Sequence, residues 1–284
     1  MGAIATVGHP VPHTYPEHLR PCLADLPAAP GVYTFHGASG GLPLYIGKSV
    51  NIRARVMGHF NTPDEAAMLR QTVRVSCERT AGEIGALLLE SARIKAEHPL
   101  FNQRLRRSRQ LWSLRFAAER PDIVPAREAD VSAAADAGPL YGLFGSPRAA
   151  QEHLRQLADA HGLCCGLLGL ERLAPGRPCF RHQIRRCLGA CCGAEPAQAH
   201  HARLMDALQA HRVAIWSHEG AVAVVERDGE RQDIHVVRNW CHLGTVSTLA
   251  AARKLKHVSA TFDADSYHIL SKALLTGAAE TVAL

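Results

Sequence analysis

The sequence predicts an α+β fold in two parts, a small mixed or antiparallel sheet flanked by helices near the N-terminus and a cysteine-rich α/β region after it. Three observations predict it. Val32-Tyr33-Thr34-Phe35 and Leu44-Tyr45-Ile46 are strand-forming runs on either side of the glycine-rich stretch Gly37–Gly41, a hairpin signature. Glu83 to Glu97 repeats apolar residues at helical spacing. Six of the nine cysteines fall between Cys164 and Cys192, and such density without a secretory leader points to a metal or cluster rather than disulfides.

A chain of 284 residues and 47% hydrophobic composition has enough apolar surface for one large core or two modest ones. Met1 to Pro16 lacks a basic stretch followed by an apolar run, and no apolar run approaches a membrane span. A cytoplasmic protein with no membrane partner is therefore expected. The formal charge of +6 is mildly basic and favours polyanionic partners.

In the hairpin, a turn centred near Ser39 sets Tyr33 opposite Tyr45 on one face. After Gly47 the period changes. Ser49 or Asn51 is placed to cap a helix in which Ile52 and Val56 share one face while Arg55 and His59 share another. Two phenols, Lys48, Arg55 and His59 thus gather in one patch. Thr72 to Cys77 alternates as a third strand. In the helix at 83–97, Ile84, Leu87, Leu88 and Ile94 form the apolar stripe and Glu90 lies at its edge. A carboxylate there needs a partner, either a salt bridge to Arg93 or Arg55 or a metal.

Gly31-Val32-Tyr33, then Tyr45-Ile46-Gly47-Lys48, Arg55, Glu90 and Asn102 together resemble the GIY-YIG nuclease domain, in the form found in the UvrC family of excision-repair nucleases. The resemblance implies a divalent-metal DNA endonuclease, with Glu90 as ligand for Mg²⁺ or Mn²⁺ and Tyr33 as the base. Lys48, Arg55 and the metal are expected to lower the phenol's pKa, since a phenol near pKa 10 is otherwise a poor base. Tyr45 then holds the phosphate or the water, Arg55 stabilises the transition state and Asn102 fixes local geometry. His59 departs from the pattern, standing where UvrC sequences usually carry tyrosine, although other branches of the superfamily place histidine here. Its readings are assistance to the water, a proton shuttle, or a phosphate contact.

Arg104, Arg106, Arg107 and Arg109 follow at once, and beside a nuclease site they read as phosphate contacts. Leu111 to Phe116 alternates as a strand, and Pro121 to Gly138 has linker composition. Ser146-Pro147 opens a helix running to about Ala160. Cys164, Cys179, Cys187 and Cys191 lack the two-residue spacing of common zinc sites. The stretch Pro178 to Cys191 resembles the UvrC segment associated with a 4Fe-4S cluster, which implies these four thiolates as its ligands, zinc being the alternative. The doublets Cys164-Cys165 and Cys191-Cys192 leave the ligand choice open. Arg181, Arg185 and Arg186 add positive charge read as DNA contacts. Cys22, Cys77 and Cys241 read as buried thiols, and His200, His201 and His218 as surface histidines.

A helix is expected from Ala197 to Trp216, strands at Ala221–Glu226 and Ile234–Val237, and a helix with a short closing element from Leu243 on. The division is a lead-in at 1–28, the GIY-YIG domain at 29–104, a basic segment and linker at 105–138, a UvrC-like cysteine-rich region at 139–196 and a C-terminal helix and β region at 197–284. The length and the tail phrase Asn239-Trp240-Cys241-His242-Leu243-Gly244 resemble a short homologue in the UvrC family. That implies incision of damaged double-stranded DNA with UvrA and UvrB, acting on the UvrB–DNA complex, and membership of the SOS response. With about ninety residues after the cysteines, one active site and one incision are expected, on the 3′ side of the lesion. A non-catalytic DNA-binding protein and a GIY-YIG nuclease outside repair are the other classes.

Overall fold

The computed structural model describes residues 17–38, 42–102, 110–116, 120–127, 131–132, 138–173, 177–259 and 261–284. Two compact units are present, Met1–Arg107 with Glu226–Asp233, and Ser108–Val225 with Ile234–Leu284.

The first unit is built on three antiparallel strands, β1 (Gly31–His36), β2 (Tyr45–Ser49) and β3 (Arg74–Arg79), in the order β2-β1-β3. The central strand β1 is buried on both faces. Tyr33 and Phe35 face a core shared with α1 (Arg20–Ala24), α2 (Ile52–His59) and α3 (Ala66–Gln71), while Val32 and Ile46 meet Ile94 of α4 (Glu83–Glu97). Asn51 caps α2 by accepting from Ala54 N at 3.0 Å. The third strand begins two residues later than its alternation suggests, because Thr72 closes α3 by donating to Met68 O at 3.0 Å.

Helix α4 starts at Gly82 without a side-chain cap of its own. The Glu226 carboxylate supplies one, accepting from Ile84 N at 2.8 Å and Gly85 N at 2.7 Å. A Cβ at Gly82 would press on that carboxylate and make it shift.

In the second unit, β4 (Trp112–Phe116), β5 (Pro121–Pro125) and β6 (Leu140–Phe144) form an antiparallel sheet in the order β5-β4-β6. Residues 121–125, expected as linker, are therefore a strand. Two prolines are tolerated because β5 is an edge. Helix α5 (Pro147–His161), capped by Ser146, packs on this sheet with α7 (Ala197–Gln209), and the short α6 (Phe180–Gln183) lies between them in sequence. Helix α7 ends before the expected Trp216 because the chain turns to pair with β6: Gly142 N donates to His211 O and Val213 N to Leu140 O.

A four-stranded antiparallel sheet, β10-β7-β8-β9, contains β7 (Val222–Asp228), β8 (Arg231–Arg238), β9 (Cys241–Val246) and β10 (Glu280–Ala283). With α8 (Leu249–Leu255) and α9 (Ala264–Leu275), the last forty residues hold more structure than the expected helix and closing element. No helix among the described residues is long and apolar enough to cross a membrane.

Candidate active site and metal centre

In the observed register Tyr33 lies opposite Gly47 and Phe35 opposite Tyr45, so the two tyrosines are diagonal neighbours on one face rather than direct partners. The displacement has a steric reason. The Tyr33 ring lies over Gly47, where a Cβ would collide with the phenol oxygen. The two phenol rings stand 6.2 Å apart, centroid to centroid. They open into a cavity of about 440 Å³ shared with Lys48, Arg55, Glu83 and Glu90. Sequence spacing brought four of these six together, the family resemblance added Glu90, and Glu83 is new.

Glu90 makes neither of the salt bridges weighed for it. Arg93 pairs instead with Glu97 at 2.6 Å, one turn along the helix. Glu90 Oε1 accepts from Lys48 N at 2.9 Å, and Oε2 has no hydrogen bond among the described residues. Burial raises its pKa, opposed by the Lys48 amide and the nearby cations. A half-buried carboxylate with one oxygen free toward a cavity suits a hard divalent cation, whose remaining ligands are water and substrate oxygens. The Lys48 ammonium is held by Glu83 at 2.6 Å, so it does not sit against Tyr33. Asn102 grips strand β2 by accepting from Ile46 N at 2.9 Å and donating to Ile46 O at 2.7 Å.

His59 is buried behind Tyr33, its side chain 1% exposed, and unlike Tyr33 it does not line the cavity, so it is set back from a phosphate or water held there. Its Nε2 lies 2.7 Å from the Tyr33 hydroxyl and its Nδ1 lies 2.5 Å from Glu65 Oε2. Glu65 comes from the turn at Pro63–Glu65, and its place six residues after His59 carries no periodic signal. Burial lowers the His59 pKa, with Glu65 opposing. Burial raises Tyr33 well above an ordinary phenol, and the Arg55 guanidinium only partly offsets it. Among the protein's own groups, the expected lowering of this phenol by cations is reversed, because desolvation outweighs them.

In the second unit the sulfurs of Cys164, Cys179, Cys187 and Cys191 all lie within 4.8 Å of one another. Three backbone amides point at them: Cys179 N at Cys191 Sγ (3.4 Å), His182 N at Cys179 Sγ (3.3 Å) and Gly189 N at Cys187 Sγ (3.3 Å). Such donors stabilise thiolates. Burial meanwhile raises the Cys164 thiol, so ionising it calls for a metal. The other member of each doublet goes elsewhere: Cys165 packs in the neighbouring core and Cys192 is exposed. His200 is not a surface residue. It is buried and its Nε2 accepts from Cys164 N at 3.0 Å. Cys241 is buried as expected, whereas Cys22 is half-buried and Cys77 exposed.

A single tetrahedral ion with Zn–S near 2.3 Å places its sulfurs about 3.8 Å apart. The four thiols are close enough to meet such an ion with little movement, whereas a four-iron cube requires them to open outward. Of the arginines read as DNA contacts, Arg181 is turned to Asp159 as an ion pair with its side chain 15% exposed, while Arg185 and Arg186 are exposed. Arg104, Arg106, Arg107 and Arg109 lie outside the described residues.

Residues 29–103 match the model of the UvrC-like GIY-YIG domain, 112–210 that of the UvrC/Cho excinuclease middle domain and 221–284 that of the excinuclease Cho C-terminal domain. Excinuclease Cho of Escherichia coli K12 is 54% identical over 265 residues, covering 93% of this chain and 89% of that protein. The UvrABC system protein C of Nitratidesulfovibrio vulgaris is 34% identical over 192 residues, 65% of this chain and 27% of its own length. A crystal structure of the GIY-YIG N-terminal endonuclease domain of UvrC from Thermotoga maritima, bound to its catalytic divalent cation magnesium, is 26% identical with a TM-score of 0.28, covering 31% of this chain and 99% of that one. With three models of one family in order along its length, and a relative sharing more than half its residues, the chain belongs to the UvrC/Cho excinuclease family as a Cho-type GIY-YIG endonuclease.

Proposed function

We propose that this endonuclease incises damaged double-stranded DNA once, on the 3′ side of the lesion, acting in the cytoplasm on a UvrB–DNA complex formed by UvrA and UvrB. The observation that carries the chemistry is the convergence of Tyr33, Tyr45, Arg55 and Glu90 on one open cavity. The partners and the side of the cut follow the likeness to excision-repair nucleases. Glu90 would hold Mg²⁺ or Mn²⁺ through its free oxygen. When bound, the cation polarises the phosphoryl oxygen and offsets charge in the transition state. Tyr33 accepts the proton of the attacking water. Tyr45, close enough to share the same phosphate, donates a hydrogen bond to it or to the water. Arg55, on the exposed side of α2, faces the charge that builds on the phosphoryl oxygens. Lys48 and Glu83 neutralise one another at the rim, and Asn102 keeps β2, with Tyr45 and Lys48, in place.

The four thiols would hold a metal centre in the second unit. The resemblance favours a 4Fe-4S cluster, and the short sulfur separations favour a single zinc ion. Arg185 and Arg186 beside it supply phosphate contacts.

A duplex with a single lesion, labelled at both ends of the damaged strand and incubated with UvrA, UvrB, Mg²⁺ and the full chain, tests the reading. One 3′-side product is expected. Glu90→Ala is expected to lower its rate at least about 10³-fold while leaving DNA binding intact, since charge stabilisation acts in the transition state. A 5′-side product that persists in Glu90→Ala, or near-normal cutting by that variant, would overturn it.

A further inference from the structure

Tyr33 cannot accept a proton from water and keep its own unless the resulting charge goes somewhere. Tyr33 is 1% exposed on the central strand; its oxygen also meets the Arg55 guanidinium and the Tyr45 hydroxyl, but the group in reach that can take its proton as a base is His59 Nε2 at 2.7 Å. On the far side of the ring, His59 Nδ1 meets Glu65 Oε2 at 2.5 Å. An ionised carboxylate only accepts hydrogen bonds, so Nδ1 carries the proton and donates it to Glu65. In a neutral imidazole Nε2 is then bare and accepts, and the Tyr33 hydroxyl must donate to it. The three side chains therefore form a directed chain, phenol to imidazole to carboxylate.

Resting on the nuclease reading above, we propose that Glu65 is a positioning residue that fixes the His59 tautomer and makes His59 the terminal proton acceptor for Tyr33. In the attack step, water gives a proton to the Tyr33 oxygen as the phenolic proton passes to His59 Nε2. The hydroxide bonds to phosphorus as the bond from phosphorus to the leaving sugar oxygen breaks. That oxygen takes a proton from solvent. His59 returns its proton through the phenol to the hydroxide left in solvent, so the net reaction is phosphodiester plus water to phosphomonoester plus alcohol. Glu65 balances the imidazolium while it exists, as the carboxylate of a catalytic triad does for its histidine. The groups facing His59 are Tyr33 from β1, Tyr45 from β2, Arg55 from its own helix and Glu65 from the following turn. Arg55 opposes protonation of the ring, and Glu65 is the group that favours it.

Glu65 is 31% exposed at its side chain and lines neither core nor cavity, so its substitution tests the relay with little structural cost. The experiment compares wild type, Glu65→Gln, His59→Ala and the double variant in single-turnover incision across pH, with melting and DNA affinity measured on each. Loss of general acid–base assistance costs about 10²-fold or more. Glu65→Gln is expected to lose about that much with DNA affinity unchanged. Neutral His59 is the active form, so the rate falls below its pKa. Removing the Glu65 charge makes His59 less basic, and the acidic limb moves to lower pH.

In the His59→Ala background Glu65→Gln is expected to cost nothing further. Wild-type rate and an unmoved limb in Glu65→Gln would overturn the proposal. So would an equal loss with and without His59, which assigns Glu65 a purely structural role. Should His59→Ala melt early, His59→Gln serves as the background instead. Absence of cutting by wild type overturns the nuclease reading itself, whatever Glu65 does.

Discussion

Replacing Asn102 by alanine isolates what holds the active-site edge together. Strand β2 is an outer strand, so one side of it has no strand partner. The returning chain covers part of that side, with Leu100 N donating to Pro43 O at 2.9 Å and Phe101 N to Leu44 O at 2.8 Å. The Asn102 amide then takes both outward groups of Ile46, acting as one more residue of a neighbouring strand. Each such bond is worth about 1 kcal/mol net, and Ile46 is fully buried, so orphaned groups cost about 1–3 kcal/mol each where water cannot reach them. Asn102→Ala should therefore cost about 2–4 kcal/mol locally. At 1.4 kcal/mol per tenfold, the lower figure is a roughly 30-fold rise in amide exchange at Ile46. Asn102→Asp should be at least as costly, since it keeps the acceptor but sets a carboxylate against the Ile46 carbonyl. Hydrogen exchange of the 44–49 segment is the assay. Trp112, Trp216 and Trp240 all lie in the second unit, so tryptophan fluorescence would miss the event. Unchanged protection across β2 in Asn102→Ala would refute the edge-mimic reasoning.

Protein purified without oxygen is expected to carry a metal at the four thiolates that is lost in Cys187→Ser together with part of the second unit's stability; iron with acid-labile sulfide and a visible absorption band would identify a cluster. Zinc at one per chain without sulfide would instead identify a single tetrahedral ion and remove the cluster. Arg186→Ala is expected to lower the slope of log affinity against log salt by about one and weaken all sequences alike. Arg181→Ala, whose charge is already met by Asp159, should change that slope less. Equal slopes for Arg186→Ala and wild type would remove Arg186 from the phosphate contacts.

Periodic features were legible and long-range ones were not. Helix α4 runs from Glu83 to Glu97 as the apolar spacing requires, and the two phenols share a face because the hairpin parity is even. The exact opposition of Tyr33 and Tyr45 failed because it depended on turn length, and the true register follows from packing a ring over Gly47. Strand β5 looked like linker because its prolines read as breakers when the edge position that tolerates them is unknown. Glu65, Glu83, Glu226 and His200 each act through a partner far off in sequence or at no helical or strand spacing. Nothing in local pattern marks such residues. The four cysteines, by contrast, were separable from their doublet partners only once the fold sent Cys165 to a core and Cys192 to solvent.

The burial of Tyr33 explains why position 59 carries an imidazole here. A central strand holds the phenol rigidly, and the same burial denies it the solvation that would let it ionise. Lys48 is spent on Glu83, and Arg55 only partly offsets the desolvation. A phenol that stays protonated is useful as a conduit rather than a store, and a conduit needs an acceptor at its far end. An imidazole with one nitrogen pinned to a carboxylate is such an acceptor at neutral pH. A tyrosine at position 59 would be a third phenol here and would offer no imidazole base to receive the Tyr33 proton. The histidine and Glu65 are thus one device, and neither substitutes for the other alone.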